Sequence, residues 1–270
     1  MSVPIFIPSW NRDSIVTLKS LPKGLKERVC VVTKTVKQGE KIAEGCKVLT
    51  CPVQGRGIHL VRQWLLDRAV KSGLSKLIML DDDLRLLPGS FEGEKKVFKE
   101  DPKSLTKWFR VAEERCLESG VAQTGFSYAY FNTGRDWWFP NRNTSSTYFV
   151  NVKAAKDNNL DFLLPSTDDR HFQLSAIEKG LMIWSLSMVV SYQALKQGTG
   201  GETSLGNRSE KTRKSYLALA KRYPKYVKVK EDEKYNEPKK TSIGGGLKIV
   251  FYMHRMYKAV KRGEDVTKNG

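Results

Sequence analysis

KLIMLDDDLR, residues 76–85, joins an apolar run to three consecutive acidic residues, Asp81, Asp82 and Asp83. A short apolar run of this kind is typical of a strand buried on both faces of a parallel sheet. Three adjacent carboxylates repel one another unless a cation lies among them, and Mg²⁺ or Mn²⁺ prefers such oxygen ligands. Because open α/β sheets bind ligands at the carboxyl ends of their strands, a metal site is predicted there. A solvated acidic turn is the alternative.

A helical pattern precedes this strand. Residues 57–73, GIHLVRQWLLDRAVKSG, carry an apolar stripe with helical spacing and end in glycine. With the strand-like run at 47–53, the order is strand, helix, strand, which is a βαβ unit. Arg62 lies in the first turns of the helix, so it is expected to point toward the same sheet edge as the aspartates. The Arg62 guanidinium, which can bind phosphate, would then lie beside the predicted metal site.

The remaining segments alternate between the two types of element. Strands are predicted at 4–10, 27–33, 121–131, 147–152 and 181–192, helices at 104–119, 167–180 and 209–224, and a loop at 86–103. Arg12 follows the first strand, where it can meet a phosphate or a base, or be a surface arginine. Asp168 and Asp169 begin a helix, where one can complement the helix terminus and the other can act as a base.

Cations and aromatic rings alternate in NTGRDWWFPNRNTSST, residues 132–147. Arg135, Trp137, Trp138 and Arg142 would suit stacking on bases or sugars together with phosphate contacts. The alternative is that these rings cover an edge of the core.

The composition favours a polyanionic partner. The chain has 270 residues with 47 Lys and Arg against 29 Asp and Glu, a net charge of +18. Nucleic acid is the first expectation, an acidic membrane surface the second, and a well-solvated basic surface the alternative. The four cysteines lack CxxC spacing and are expected to be buried, reduced thiols of a cytoplasmic protein. No apolar run reaches ~18 residues, so no stable membrane insertion is expected.

The ordered set of motifs resembles the nucleotide-sugar half of GT-A glycosyltransferases. The likeness rests on PSWNR (8–12), GIHLVRQWLLDRA (57–69), LIMLDDDL (77–84) and STDDRHFQLSAIEKG (166–180). In those enzymes a G…RN helix often precedes an apolar strand ending in an Asp-x-Asp motif; here Gln63 stands where asparagine is common. The resemblance implies one α/β domain of the GT-A (Rossmann-like) type, with a mixed, mostly parallel sheet flanked by helices.

A narrower resemblance is to the TET-associated glycosyltransferases of phages, which add sugars to 5-hydroxymethylcytosine in DNA. PSWNR, LDDDL (80–84), TGGET (199–203) and KRYPKYVK (221–228) are similar to that group. It implies a transfer from a nucleotide-sugar, usually a uridine diphosphate sugar, to a hydroxyl on a modified base, in the host cytoplasm if the chain is phage-encoded. No known DNA-binding module is visible, so DNA contacts would come from the glycosyltransferase surface itself.

The resemblance also implies residue roles. A divalent metal, Mn²⁺ or Mg²⁺, would bridge the donor diphosphate, and one aspartate of the later acidic pair would take the acceptor proton in an inverting reaction. The nucleotide-sugar would be bound by Pro8, Ser9, Arg12, Arg62, Asp81 and Asp82, the metal by Asp83 and His254, the acceptor DNA by Arg135, Trp137, Trp138 and Arg142, and the base would be Asp168 or Asp169.

Three parts of the single domain are expected: a nucleotide-sugar half (1–90), an acceptor and catalytic half (91–195), and a basic loop with carboxy-terminal helices (196–270). Two alternatives stay open. The same fold could act on a surface polysaccharide, a lipid-linked glycan or a protein. The chain could also be a non-enzymatic nucleic-acid-binding protein whose three aspartates form only a polar turn.

Overall fold

The computed structural model describes residues 3–55, 57–93, 95–128, 136–144, 146–193, 208–231 and 247–268. In chain order its elements are β1 (Ile5–Pro8), α1 (Val16–Ser20), α2 (Lys23–Lys26), β2 (Val29–Thr33), α3 (Val36–Ile42), β3 (Lys47–Thr50), α4 (Ile58–Lys71), β4 (Lys76–Leu80), β5 (Leu84–Glu92), β6 (Lys95–Phe98), α5 (Pro102–Cys116), β7 (Val121–Tyr128), β8 (Trp138–Pro140), β9 (Thr147–Asn151), α6 (Val152–Asp157), α7 (Asp168–Glu178), β10 (Met182–Gln193), α8 (Arg208–Arg222), β11 (Val227–Glu231), β12 (Leu247–Phe251) and α9 (Met253–Lys261).

One large mixed sheet organises the described residues. Its strand order is β3-β2-β1-β4-β9-β7-β10-β5-β6, and β8 pairs with β10. Strands β3, β2, β1 and β4 are parallel neighbours, β7 and β10 are parallel to each other, and β9, β5 and β8 run against their partners. Seven of these ten described strands therefore run in one direction. The predicted fold class, an α/β fold with a mixed, mostly parallel sheet flanked by helices, is confirmed.

Strand β4 is buried on both faces, as its apolar sequence predicts. Leu77 and Met79 belong to one hydrophobic cluster, and Ile78 and Leu80 belong to the other. Successive side chains of a strand alternate between the faces of a sheet, so one short strand contributes to both cores. Full burial of each such side chain contributes roughly 1.5–3 kcal/mol. The end of β4, where the aspartates begin, is thus held in a fixed position.

The helices form a layer on each face of the sheet. Helices α1, α2, α3 and α5 contribute Leu18, Leu25, Ile42 and Phe109 to one cluster. On the other face, α4, α6, α7, α8 and α9 contribute to the second hydrophobic cluster the side chains of Leu65, Ala155, Phe172, Leu219 and Met256. In the described ranges, no helix is both long and apolar enough to cross a bilayer. The four cysteines are free thiols; two are buried and two partly buried, so the predicted burial holds for Cys51 and Cys116.

The loop predicted for residues 86–103 is wrong in its first part, because β5 and β6 form a hairpin there. Pro88 lacks an N–H group, but its carbonyl accepts a hydrogen bond from the backbone N–H of Lys99 at 3.1 Å. A Cβ atom on Gly89 would lie 2.8 Å from the ring of Phe98, so glycine leaves room for that ring. These proline and glycine residues serve packing in a strand and do not end one.

Two further boundaries differ from the sequence prediction. Helix α5 begins earlier than the predicted residue 104, and its amino-terminal cap is Asp101, whose carboxylate accepts hydrogen bonds from the N–H groups of Lys103 and Ser104 at 3.0 and 3.2 Å. Pro102 occupies the first helical position, which needs no N–H donor. The aromatic segment also contains a short strand, β8, which its sequence did not indicate.

Candidate active site

The carboxyl ends of β1 and β4 meet at one edge of the sheet. The two strands are parallel and adjacent, with Phe6 opposite Met79, so Pro8 and Asp81 come to the same edge. The N–H group of Asp81 donates to the carbonyl of Ser146 at 3.0 Å, which ties the end of β4 to the loop before β9. The end of the first strand and the acidic stretch therefore lie at the same edge of the sheet.

Asp82 turns toward β1. Its Oδ2 atom accepts hydrogen bonds from Ser9 Oγ at 2.7 Å and from Arg12 Nε at 3.1 Å, and its Oδ1 atom accepts from Arg12 Nη2 at 3.3 Å. Burial raises the pKa of Asp82, and the Arg12 guanidinium and the Ser9 hydroxyl act against that rise. Arg12 thus lies at the acidic edge with its guanidinium directed at a carboxylate of the chain, and its predicted contact with the nucleotide-sugar stays a prediction.

Thr17, in α1, fixes the turn that carries the three aspartates. Its hydroxyl donates to the Asp81 carbonyl at 2.6 Å and accepts from the Leu84 N–H group at 2.9 Å. Its own N–H group donates to the Asp82 carbonyl at 3.2 Å. Sequence reasoning missed Thr17, because a threonine in a short helix 64 residues before its partner carries no local signal.

Arg62 joins the acidic edge of β4 to the amino end of α7. Its side chain is only 6% exposed, with Nη2 2.5 Å from Asp81 Oδ1 and Nη1 2.7 Å from Asp168 Oδ2. The guanidinium also lies over the ring of Tyr148, 4.4 Å from its centroid. Burial lowers the pKa of Arg62, but the nearby carboxylates and Tyr148 outweigh it and raise the pKa well above the ordinary value. Arg62 is therefore a permanent cation between two acidic groups.

Asp83 has an electrostatic environment that favours binding of a cation. It is buried, and burial together with the charges of Asp81 and Asp82 raises its pKa to about 7, although Arg12 opposes the rise. At neutral pH such a carboxyl either holds a proton or gains from a nearby positive charge. This environment fits a divalent metal.

A metal bound at Asp83 would share its coordination shell with a substrate. Across the described part of the chain, no group of three or more His, Cys, Asp or Glu side chains forms a ready metal site. Mg²⁺ is commonly bound through one or two carboxylates plus substrate phosphates, so a partial set of protein ligands is compatible with it.

The acidic pair begins α7 as predicted, and its two members differ in exposure. Asp168 is nearly inaccessible, with 3% of its side chain exposed, and it is ion-paired with Arg62. Asp169 has 19% of its side chain exposed, and Nε of Arg170 lies 3.9 Å from its Oδ2 atom. Thr167 occupies the cap position, but its hydroxyl makes no capping hydrogen bond. Asp169 is thus the more accessible of the two carboxylates.

Helix α9 begins next to the start of α7. The guanidinium of Arg170 lies over the ring of Phe251, 5.2 Å from its centroid, and Phe251 is the last residue of β12. His254 is exposed in the first turn of α9, three residues after Phe251. Its predicted role as a metal ligand stays a prediction.

The predicted acceptor-binding residues pack against aromatic and cationic neighbours. Trp137 is half-exposed and makes an edge contact with Trp108, with ring centroids 5.1 Å apart. Trp138 makes an edge contact with Trp184 at 6.3 Å. Arg142 lies over the ring of Phe139 at 4.1 Å. Such contacts suit the alternative that these rings cover a core edge, while the exposed face of Trp137 keeps the stacking role open. Arg135 lies outside the described residues.

Comparison with known proteins gives three results. A comparison with curated proteins finds no match. Among solved structures, the chain is similar to Staphylococcus aureus TarS 1–349, with 16% identity, a TM-score of 0.44, 82% of this chain covered and 66% of that chain. It is also similar to GalNAc-T7 in complex with UDP, GalNAc and Mn²⁺, with 10% identity, a TM-score of 0.42, and 82% and 48% of the two chains covered.

The third result covers most of the chain. The family described as TET-Associated Glycosyltransferase matches residues 3–201, a range that contains the ends of β1 and β4, Arg62 and the acidic pair of α7. Membership sets aside the alternative of a non-enzymatic nucleic-acid-binding protein. The chain is a glycosyltransferase and belongs to the TET-associated glycosyltransferase family.

Proposed function

We propose that this glycosyltransferase moves a sugar from a nucleotide-sugar, most simply a uridine diphosphate sugar, to a hydroxyl on a modified DNA base such as 5-hydroxymethylcytosine. One observation carries the proposal. Arg62 contacts both Asp81, at the acidic edge, and Asp168, at the start of α7. Because one guanidinium spans the two elements, a donor diphosphate at the acidic edge and an acceptor hydroxyl at α7 would lie side by side.

The donor end of the site would consist of the ends of β1 and β4. Asp83 would hold a divalent metal, Mn²⁺ or Mg²⁺, together with the donor diphosphate, because a cation would offset the burial and the charges of Asp81 and Asp82 that raise its pKa. The bound metal would act as a Lewis acid that stabilises the departing nucleoside diphosphate. Asp81 would face the ribose or the sugar hydroxyls, and Ser9 and Arg12 would keep Asp82 directed away from them.

Asp169 is the proposed general base. Arg62 already occupies an oxygen of Asp168, whereas Asp169 is the more accessible carboxylate of the pair. In the reaction, the acceptor oxygen would form a bond to the anomeric carbon while the bond from that carbon to the diphosphate oxygen breaks. The electron pair would leave with the nucleoside diphosphate, and the acceptor proton would move to Asp169. This assignment predicts inversion at the anomeric carbon.

Substitution of each acidic residue distinguishes their roles. We expect Asp169→Asn to lower kcat by at least about 100-fold with little change in the melting temperature, because general-base catalysis contributes roughly 10²–10⁴-fold. Asp168→Asn removes a partner of a buried arginine, so its main expected effect is a lower melting temperature. Transfer kinetics and thermal unfolding of both variants provide the test. If Asp169→Asn stays active while Asp168→Asn is well folded but inactive, Asp168 is the general base and the assignment to Asp169 is wrong.

The net charge of the chain and its family support the proposal that the acceptor is DNA. A net charge of +18 favours DNA, because neutralisation of phosphates by Lys and Arg dominates nucleic-acid affinity. The TET-associated group, which the chain resembles, adds sugars to hydroxymethylated cytosine. A hydroxymethyl group supplies the free hydroxyl that the proposed base requires.

A transfer assay tests the whole proposal. The protein would be incubated with Mn²⁺, a panel of uridine diphosphate sugars, and duplex DNA that carries either cytosine or 5-hydroxymethylcytosine, and the digested nucleosides would be weighed by mass spectrometry. We expect a gain of one sugar on 5-hydroxymethylcytosine alone. Release of uridine diphosphate without a DNA product would overturn the acceptor and favour a polysaccharide, lipid-linked or protein acceptor. If neither uridine diphosphate nor a glycosylated DNA product is formed, the proposed uridine diphosphate sugar donor is wrong.

A further inference from the structure

The positive charge of the chain is concentrated near its carboxyl end. Residues 208–270 contain 18 of the 47 Lys and Arg residues and 7 of the 29 Asp and Glu residues, and so carry +11 of the net charge of +18. This segment lies beyond residue 201, where the family match ends. The basic excess therefore lies in a part of this chain that the family match does not cover.

The described parts of this segment, residues 208–231 and 247–268, form what we name the carboxy-terminal module: α8, the β11–β12 ribbon and α9. Its apolar side chains, among them Leu219, Val227 and Met256, join the core cluster that also contains α4 and α7. Tyr223 donates a hydrogen bond to Glu178 of α7 at 2.7 Å. The module is packed on the catalytic domain, which gives its surface a fixed place.

The ribbon has one apolar and one basic face. In β11, Val227 is buried and Val229 partly buried, while Lys228 and Lys230 are exposed, because side chains alternate along a strand. Lys225, just before the strand, is also exposed. Within the part of the chain that the structure describes, none of these three lysines has an acidic partner in an ion pair. We call Lys225, Lys228 and Lys230 the lysine face.

The ribbon that carries the lysine face packs against the helix of the proposed catalytic base. Val227 of β11 pairs with Phe251 of β12, and Lys228 pairs with Val250. The ring of Phe251 packs under Arg170, which follows Asp169 in α7. Because side chains alternate along a strand, Phe251 faces the inner side of the ribbon and Lys228 faces the outer side. A polyanion on the lysine face would lie on the outer side of the ribbon whose inner side packs against α7.

We propose that the carboxy-terminal module binds the phosphate backbone of duplex DNA, and that the lysine face holds the duplex on the outer side of the ribbon, whose inner side packs against the helix of Asp169. The inference rests on the proposed function, since it names where the DNA acceptor is held. A two-stranded antiparallel ribbon fits into the major groove of B-DNA, and exposed lysines are point charges suited to phosphates. The expected contacts go to the backbone, so binding should not depend on sequence.

An acidic membrane surface fits the module less well. Membrane-surface helices bury a continuous apolar stripe beside their basic residues. In the described parts of the module, the exposed large apolar side chains are Leu217, 45% exposed on α8, and Val250, 38% exposed on β12. Two apolar side chains on different elements do not make such a stripe. DNA is therefore the better match for the charge.

The test compares two variants with the same loss of charge. The first is Lys225→Gln/Lys228→Gln/Lys230→Gln. The control is Lys23→Gln/Lys47→Gln/Lys71→Gln, three exposed lysines near the amino ends of the parallel strands, at the opposite edge of the sheet. Fluorescence anisotropy with a labelled 20-base-pair duplex without modified bases would give Kd between 50 and 200 mM salt, and thermal unfolding would confirm that both variants are folded.

We expect the lysine-face variant to bind the duplex at least tenfold more weakly at 100 mM salt. Its plot of log K against log salt should lose about 2–3 units of slope, since each phosphate contact contributes about 0.9. The control variant should stay within about threefold of the wild-type Kd. Equal weakening of both variants, or wild-type binding by the lysine-face variant, would overturn the proposal.

Two further measurements separate this inference from its alternatives. If sedimentation with phosphatidylglycerol vesicles falls in the lysine-face variant while its DNA affinity is unchanged, the module is a membrane surface and the inference is wrong. The assay of sugar transfer to DNA by the wild-type enzyme tests the proposed function independently of the module. Wild-type transfer to DNA combined with unaltered DNA binding by the lysine-face variant would leave the proposed function standing and reject only the role of the module.

Discussion

Replacement of Asp83 by Asn is expected to lower the transfer rate by about 1000-fold or more while it stabilises the metal-free protein. The proposed metal contributes several kcal/mol of charge stabilisation in the transition state, and about 4 kcal/mol corresponds to a 1000-fold change in rate. Asn is a poor ligand for that purpose because it carries no charge. Rates would be measured at saturating Mn²⁺ and nucleotide-sugar.

The stability gain follows from the pKa of Asp83. Burial and the charges of Asp81 and Asp82 raise that pKa to about 7, above the ordinary value of about 3.9 for an aspartate. The folded state thus binds the proton more tightly than the unfolded state, so the contribution to stability is full below pH ~3.9 and is lost as the pH rises through about 7. Because asparagine does not ionise, the Asp83→Asn protein does not lose this stability as the pH rises. The gain from Asp83→Asn should be about 2–3 kcal/mol larger at pH 8 than at pH 5.

Metal and control variants make this prediction specific. Unfolding would be followed by urea denaturation in EDTA at both pH values, and then with Mn²⁺ and uridine diphosphate. Ligands that bind only the folded state raise its stability, so addition of both should stabilise the wild type and not Asp83→Asn. Asp157→Asn, at an exposed position of α6, should change stability by less than about 0.5 kcal/mol. Full activity of Asp83→Asn, or a metal response equal to that of the wild type, would contradict the assignment.

The sequence contains enough information to locate the acidic edge at the end of β4. The apolar run of β4 predicts a doubly buried strand, and the pattern of α4 predicts a helix that brings Arg62 to the end of that strand. Both follow from the periodicity of side chains along a strand or a helix. The acidic pair likewise predicts that a helix begins at Asp168 and Asp169, because an acidic first turn complements the helix dipole.

Side-chain direction within the site lies beyond that kind of reasoning. Asp81, Asp82 and Asp83 are chemically identical in the sequence, yet they turn to Arg62, to Arg12 and into a buried environment. Those directions depend on partners tens of residues away, and Thr17 fixes the turn through two such contacts. Local periodicity carries no signal for contacts of this range. The hairpin of β5 and β6 was missed for a related reason, since Gly89 is required by the ring of Phe98.

Replacement of Arg62 by Met is expected to destabilise the protein by about 3–5 kcal/mol. The side chain is 6% exposed and lies between Asp81 and Asp168, so its removal leaves buried carboxylates without their cation. Loss of one partner of a buried ion pair has a cost of this size. Arg62→Lys should recover only part of the loss, because an ammonium group cannot contact both carboxylates in the fixed fork geometry of a guanidinium. Urea denaturation at pH 8 would measure these effects.

A double variant separates charge from packing in this prediction. If the cost of Arg62→Met is mainly an uncompensated charge, Asp168→Asn in the same chain should restore about 1–3 kcal/mol, because the buried carboxylate is then neutral. If the cost were lost packing against Tyr148, the two substitutions would add instead. Arg68→Met, at an exposed position of the same helix, controls for the change of residue type and should cost less than about 1 kcal/mol. Strict additivity of Arg62→Met and Asp168→Asn would show that Arg62 does not act as the electrostatic link between β4 and α7, and the arrangement of donor and acceptor ends proposed above would lose its support.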